Sequence, residues 1–157
     1  MTIIATDGVI MVADGRKTWG SDVVADDIDK LRRRGSRVYG FAGSAPLLEP
    51  IIAWAETGAD PAAVPKIEGA EWSLLWISSA DSDLGRKVYR LTSACPYVEV
   101  FKPPMAAGAA IDLAIGAMLA GATPYDAVRI VCARTLGCGG VVRWMAAQEA
   151  DDAAEAA

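Results

Sequence analysis

The chain contains no histidine. That absence removes the usual general base of serine and cysteine hydrolases and the commonest transition-metal ligand. A hydrolytic site here needs another base that works near neutral pH. A free α-amine, with a pKa of roughly 7.7–8.0, is one of the few groups that qualifies. Methionine followed by a small residue is readily trimmed, and loss of Met1 would leave Thr2 with a hydroxyl and a free amine on one Cα. The amine can take the hydroxyl proton, directly or through a water, and later return it to the leaving group. Lys30, if close to Thr2, would lower the pKa of the hydroxyl and stabilise developing negative charge. Asp14 beside that lysine would keep it charged and oriented. Gly43, between Ala42 and Ser44, offers backbone N–H groups where a bulky side chain would block a substrate carbonyl. Each residue also has a plainer reading: Thr2 as a β-branched strand start, Lys30 and Asp14 as surface charges, Gly43 as a turn.

The elements that would position these groups follow from the chain pattern. Thr2 to Thr6 and Val9 to Ala13 read as two apolar strands around Asp7-Gly8, a type I′ hairpin signal. That turn sets Thr6 opposite Val9 and Thr2 opposite Ala13, with Asp14 about one residue step from Thr2. Gly15 to Gly20 reads as a loop in which Trp19 and Gly20 could border a pocket. Ile28 to Arg33 and Arg37 to Ala42 read as strands about a Gly35-Ser36 turn, which sets Lys30 near Phe41. A helix is expected from about Ala45 to Glu56, with Pro46 in its first turn and Pro50 either kinking it or marking its true start. Loop-like sequence from Thr57 to Gly69 leads to strands at Glu71 to Ser79, Lys87 to Leu91 and Tyr97 to Lys102. Between the first two, Asp81-x-Asp83 resembles a fragment of a calcium loop but reads as a surface turn. The apolar stretch Met105 to Ala122 carries Asp112 and three glycines, so it reads as a tightly packed helix rather than a membrane span. Its helical part is Ala109 to Leu119, where Asp112, Gly116 and Ala120 form a row with little bulk that a neighbour could approach closely. A second helix, Tyr125 to Thr135, and a strand, Val141 to Met145, complete the order. Two sheets covered by helices on both outer faces fit it.

A length of 157 residues suits one domain, taken here as residues 1–145 with an acidic, alanine-rich tail at 146–157. Hydrophobic residues make up 53% and charged ones 22%, which is globular composition rather than disorder. The net charge of -5, from 20 acidic against 15 basic residues, argues against nucleic-acid binding. The three cysteines lack the spacing of a disulfide framework or zinc ribbon, and read as free thiols in a reducing cytosol. Met-Thr-Ile-Ile lacks the basic start of a signal peptide. The expectation is a cytoplasmic protein with no cofactor, no metal and no membrane segment.

The sequence resembles the proteasome β-type family, including the bacterial peptidase of the HslV type. The resemblance begins with Thr2-Ile3-Ile4-Ala5 and Met11-Val12-Ala13-Asp14-Gly15-Arg16. It continues through Lys30, Leu31-Arg32-Arg33 and Gly40-Phe41-Ala42-Gly43-Ser44, then Gly108, Leu113 to Ala117, and Arg134 to Gly140. It implies an α+β fold, a four-layer αββα sandwich of the N-terminal-nucleophile (Ntn) hydrolase type. By that resemblance Thr2 is the nucleophile, Asp14 and Lys30 are the charged pair beneath it, and the Gly43 N–H supplies the oxyanion hole. It further implies threonine-type endopeptidase activity on polypeptides, subunits stacked into homo-oligomeric rings, and a ring-shaped ATPase unfoldase as partner. Three departures stand out. Gly108-Ala109-Ala110 replaces a Gly-Ser-Gly segment, Thr135 and Cys138 replace an aspartate and a serine that order the terminal amine, and the first hairpin is several residues shorter. These keep two alternatives open: a scaffold subunit without turnover, and an Ntn amidohydrolase acting on a small amide.

Overall fold

The computed structural model describes residues 1–147. The strands and helices, in chain order, are β1 (Ile3–Thr6), β2 (Ile10–Ala13), β3 (Lys17–Trp19), β4 (Asp22–Ala25), β5 (Leu31–Arg34), β6 (Arg37–Ala42), α1 (Leu48–Glu56), β7 (Ser73–Ser78), β8 (Val88–Thr92), β9 (Glu99–Phe101), β10 (Met105–Gly108), α2 (Ile111–Leu119), α3 (Pro124–Arg134) and β11 (Arg143–Ala146). They form a four-stranded sheet in the order β10-β1-β2-β11, a five-stranded sheet in the order β5-β6-β7-β8-β9, and a separate β3–β4 hairpin.

Strand β1 is buried on both faces, which is why Ile3-Ile4-Ala5 runs apolar without alternation. Ile4 joins Met11, Val38, Leu75 and Met105 in a cluster contributed by both sheets. Ile3 and Ala5 belong to a second cluster with Ala114 and Met118 of α2 and Ala127, Val128 and Val131 of α3. A third cluster sets Tyr39, Phe41, Leu74 and Trp76 of the five-stranded sheet against Leu48, Ile51 and Ile52 of α1. Gly40 is needed where the sheets approach: a Cβ there would lie 2.6 Å from the Met11 sulfur and 2.8 Å from Cγ2 of Ile4. Helix α3 starts at Thr123, whose Oγ1 accepts from the Asp126 amide at 3.1 Å, followed by proline at the first helical position.

The Gly35-Ser36 turn is where the sequence puts it, with Arg34 opposite Arg37 and Leu31 opposite Gly40. The first hairpin differs. Thr6 pairs with Met11 and Ile4 with Ala13, so the register is displaced by two residues from the expected one. The Asp7 carboxylate accepts from the Val9 and Ile10 amides at 2.8 and 3.0 Å, while the Thr6 hydroxyl donates to the Ile10 carbonyl at 2.6 Å. These local bonds favour a wider loop than an Asp-Gly turn. A shift of two keeps every side chain on its face, so the core is unchanged.

The expected loop at Gly15 to Gly20 contains β3 instead. The segment before the expected helix at Ala109 to Leu119 forms β10, which pairs with β1 from Met105 opposite Thr6 to Gly108 opposite Ile3, and α2 lies within the expected span. The expected helix at Ala45 begins as a 3₁₀ turn over Ala45–Leu47 and becomes α-helical at Leu48, with Pro50 in the first turn. The row of Asp112, Gly116 and Ala120 is exposed, and nothing lies within 4 Å of a Cβ built on Gly116. The expected tail lies, beyond Ala147, outside the described residues.

Candidate active site

Thr2 leads into β1, and the backbone on either side of it is fixed. Its carbonyl accepts from the Ala109 amide at 2.7 Å. Gly108, at φ +99°, runs so close that a Cβ there would overlap the Thr2 carbonyl oxygen. The next amide, Ile3, donates to Asp14 Oδ1 at 3.0 Å, and the Asp14 amide donates to the Ile3 carbonyl at 3.2 Å.

Asp14 is 1% exposed and its carboxylate is fully engaged. Oδ1 accepts from Ile3 and from Lys30 Nζ at 2.8 Å. Oδ2 accepts from the amides of Arg16 at 3.3 Å and Gly139 at 3.0 Å. Lys30 enters from the residue before β5, where its carbonyl accepts from the Phe41 amide, as the Gly35-Ser36 turn implied. Its ammonium is buried and also donates to the Arg16 carbonyl at 2.7 Å. Burying both charges is tolerable because they face each other and each has further hydrogen-bond partners.

Gly43 follows β6 and lines the same cleft as Lys30. A Cβ at that position would lie 2.7 Å from Cβ of Trp72 and 3.1 Å from the Glu71 carbonyl, so glycine is needed for the backbone to pass. Thr2, Lys30 and Gly43 line a single cleft of about 760 Å³, and Asp14 lies behind Lys30. The cleft's remaining walls include Arg16, Lys17, Trp72, Ser93 and Ala109. Trp19 and Gly20, expected near a pocket, do not line it; Trp19 is 80% exposed at the end of β3.

Sequence reasoning missed the Gly139 amide and the Arg16 carbonyl as partners of Asp14 and Lys30. Backbone groups carry no residue-type signal; the only cue was the glycine run Gly137 to Gly140 late in the chain. Burial, with the Asp14 charge adding to it, pushes the thiols of Cys132 and Cys138 up to about 11, so both stay protonated. Among the described residues no helix is long and apolar enough to cross a membrane.

No protein-family model and no curated protein sequence matches the chain. Solved structures do. HslV of Trypanosoma brucei superposes with a TM-score of 0.69 at 20% identity, over 92% of this chain and 98% of that one. BPH of Thiobacillus denitrificans, a bacterial proteasome homologue, superposes with a TM-score of 0.63 at 17% identity, over 94% of this chain and 98% of that one. The same protein in complex with epoxomicin gives 0.64 at 17% identity, over 94% and 100%. The chain therefore has the fold of the HslV and bacterial proteasome-homologue chains, along almost its whole length.

Proposed function

We propose that the chain is a threonine-type endopeptidase of the Ntn-hydrolase type, with Thr2 as nucleophile once Met1 is removed. The observation that carries this reading is the shared role of Asp14. One carboxylate oxygen binds the Lys30 ammonium at 2.8 Å and the amide next to Thr2 at 3.0 Å, behind a cleft that Thr2, Lys30 and Gly43 line. The order of helix α1, two facing sheets and the α2–α3 pair supports a four-layer αββα sandwich.

In this reading the freed Thr2 amine takes the hydroxyl proton as the oxygen attacks a peptide carbonyl. The Lys30 ammonium steadies the negative charge near the nucleophile, and Asp14 keeps that ammonium charged and aimed. The Gly43 N–H donates to the oxyanion of the tetrahedral intermediate. The amine then returns the proton to the leaving nitrogen, and water releases the acyl group from Thr2. Met1 now blocks the first step, since its bond to Thr2 makes that nitrogen an amide. We further propose that copies of the chain form a homo-oligomeric ring in the cytoplasm that degrades polypeptides delivered by a ring-shaped ATPase unfoldase.

The test is peptidase activity of the trimmed protein against Thr2→Ala and Thr2→Ser. Complete loss in the alanine variant with partial retention in the serine variant is the expected result. Undiminished turnover in Thr2→Ala would refute the assignment. Light scattering on the trimmed protein measures the assembly: a ring supports the peptidase reading, and a monomer that cleaves small amides supports an amidohydrolase.

One observation favours a second reading, a scaffold subunit without turnover. Ala109 stands where the resemblance implies a serine, and it offers only its backbone N–H, already bonded to the Thr2 carbonyl. Thr135 and Cys138 stand where the resemblance implies an aspartate and a serine that order the terminal amine.

A further inference from the structure

We propose that Arg16 is a positioning residue for Lys30, joining the loop after α3 to the charged pair beneath Thr2; the inference rests on the peptidase reading above. Three independent contacts converge on this side chain. Its guanidinium binds Asp26 at two points, Nε to Oδ1 at 2.7 Å and Nη2 to Oδ2 at 3.3 Å. Its Nη1 donates to the Leu136 carbonyl at 3.1 Å. Its plane lies against Gly139, where an added Cβ would come within 2.7 Å of Cζ.

The backbone repeats the same connections. The Gly15 amide donates to the Gly139 carbonyl at 3.0 Å, and the Val141 amide donates to the Asp26 carbonyl at 2.7 Å. Arg16 thus ties together the segment after β2, the residue after β4, and the loop between α3 and β11. The consequence falls on Lys30. Its Nζ has two acceptors, Asp14 Oδ1 and the carbonyl of Arg16 itself. Asp14 is in turn held by the Gly139 amide, which the Arg16 side chain keeps in place. Both acceptors are therefore anchored through one guanidinium. The fork shape matters, because lysine could bridge Asp26 or Leu136 but not lie flat on Gly139 while doing both.

Around Lys30 the other charged or titratable groups are Asp14, Arg16, Asp29 and the two neutral thiols, Cys132 and Cys138. With both acceptors loosened, the Lys30 ammonium is no longer held in one place. The chemical step at Thr2 then slows, while binding of the peptide changes little.

The test follows covalent labelling of the Met1-trimmed protein by a peptide epoxyketone across reagent concentration, for the parent, Arg16→Ala, Arg16→Lys and Asp26→Asn. The expected result is a maximal labelling rate lowered roughly tenfold or more in Arg16→Ala, with half-saturation little changed and only partial recovery in Arg16→Lys. Asp26→Asn should lower the maximal rate in the same direction, and the Arg16→Ala/Asp26→Asn double variant should be no worse than Arg16→Ala. A parent that labels normally beside an Arg16→Ala with the same maximal rate overturns the inference and leaves the peptidase reading intact. A lowered melting temperature with an unmoved maximal rate also overturns it, since that is the signature of a structural strut alone. A parent that never labels counts against the peptidase reading itself.

Discussion

Asp14 and Ile3 hold each other in both directions, amide to carbonyl at 3.2 Å and amide to carboxylate at 3.0 Å. Because Ile3 follows Thr2, the carboxylate that pairs with Lys30 also sets where the chain start lies. The position of Thr2 and the placement of the Lys30 ammonium are thereby linked through one side chain.

Removing that side chain should be costly. Asp14→Ala leaves the Lys30 ammonium, 8% exposed, without its counter-charge. Breaking a buried pair in this way costs about 3–5 kcal/mol. Urea unfolding should show a loss of that size. Lys30→Met, which removes the charge but keeps much of the bulk, should lose activity with a smaller stability penalty than Lys30→Ala.

Ala110 is the residue before α2 and sits in the left-handed region at φ 50° and ψ 43°. A non-glycine residue there carries a penalty of about 1 kcal/mol. Ala110→Gly should therefore stabilise the fold by up to about 1 kcal/mol, after the extra unfolded-state entropy of glycine is counted. Thermal unfolding measures it, and a fall in melting temperature contradicts this description of the turn.

Gly43→Ala keeps the N–H but pushes its backbone away from Trp72, since the new methyl would lie 2.7 Å from Cβ of Trp72. The displaced donor should lower kcat about 10²-fold, within the range seen when one oxyanion donor is lost. KM should change little. Steady-state kinetics on a fluorogenic peptide distinguish this from a simple loss of substrate binding.

The thiols of Cys132, partly buried, and Cys138, buried, give a pH prediction with a definite sign. The folded state raises both from the ordinary value of 9.0 to about 11, so it favours their protonated form. That contribution to stability is fully present below pH 9 and is lost as pH rises from about 9 to about 11. Cys132→Ala and Cys138→Ala should flatten the alkaline decline in melting temperature. Maleimide at pH 7 should modify both thiols slowly and leave Thr2 chemistry intact.

What the sequence revealed depends on how local each signal is. Gly35-Ser36 set the β5–β6 register correctly because two residues suffice to close that turn, and Lys30 fell beside Phe41 as a result. Asp7-Gly8 carried the same kind of signal but misled, because the Asp7 carboxylate and Thr6 hydroxyl bind neighbouring backbone and widen the loop. Met105-Ala-Ala-Gly carries no alternation that marks a strand, yet pairing with β1 makes it one. No local rule captures that, since the partner is about a hundred residues away. The β3–β4 hairpin was missed because Lys17–Trp19 and Asp22–Ala25 are short, and its apolar Trp19, Val23 and Val24 are exposed rather than alternating about a core. At the site, Thr2, Asp14, Lys30 and Gly43 could be singled out as residue types with chemistry, helped by the resemblance. The Gly139 amide and Arg16 carbonyl that complete the pair had no such mark.

The most direct measurement of the central claim is mass spectrometry of the mature protein before and after exposure to a peptide epoxyketone, a reagent that needs the hydroxyl and the free amine of one residue. The predicted result is a chain beginning at Thr2, one adduct per chain on that residue, and no adduct on Thr2→Ala. A chain that retains Met1, or one that begins at Thr2 and remains unmodified, contradicts the claim.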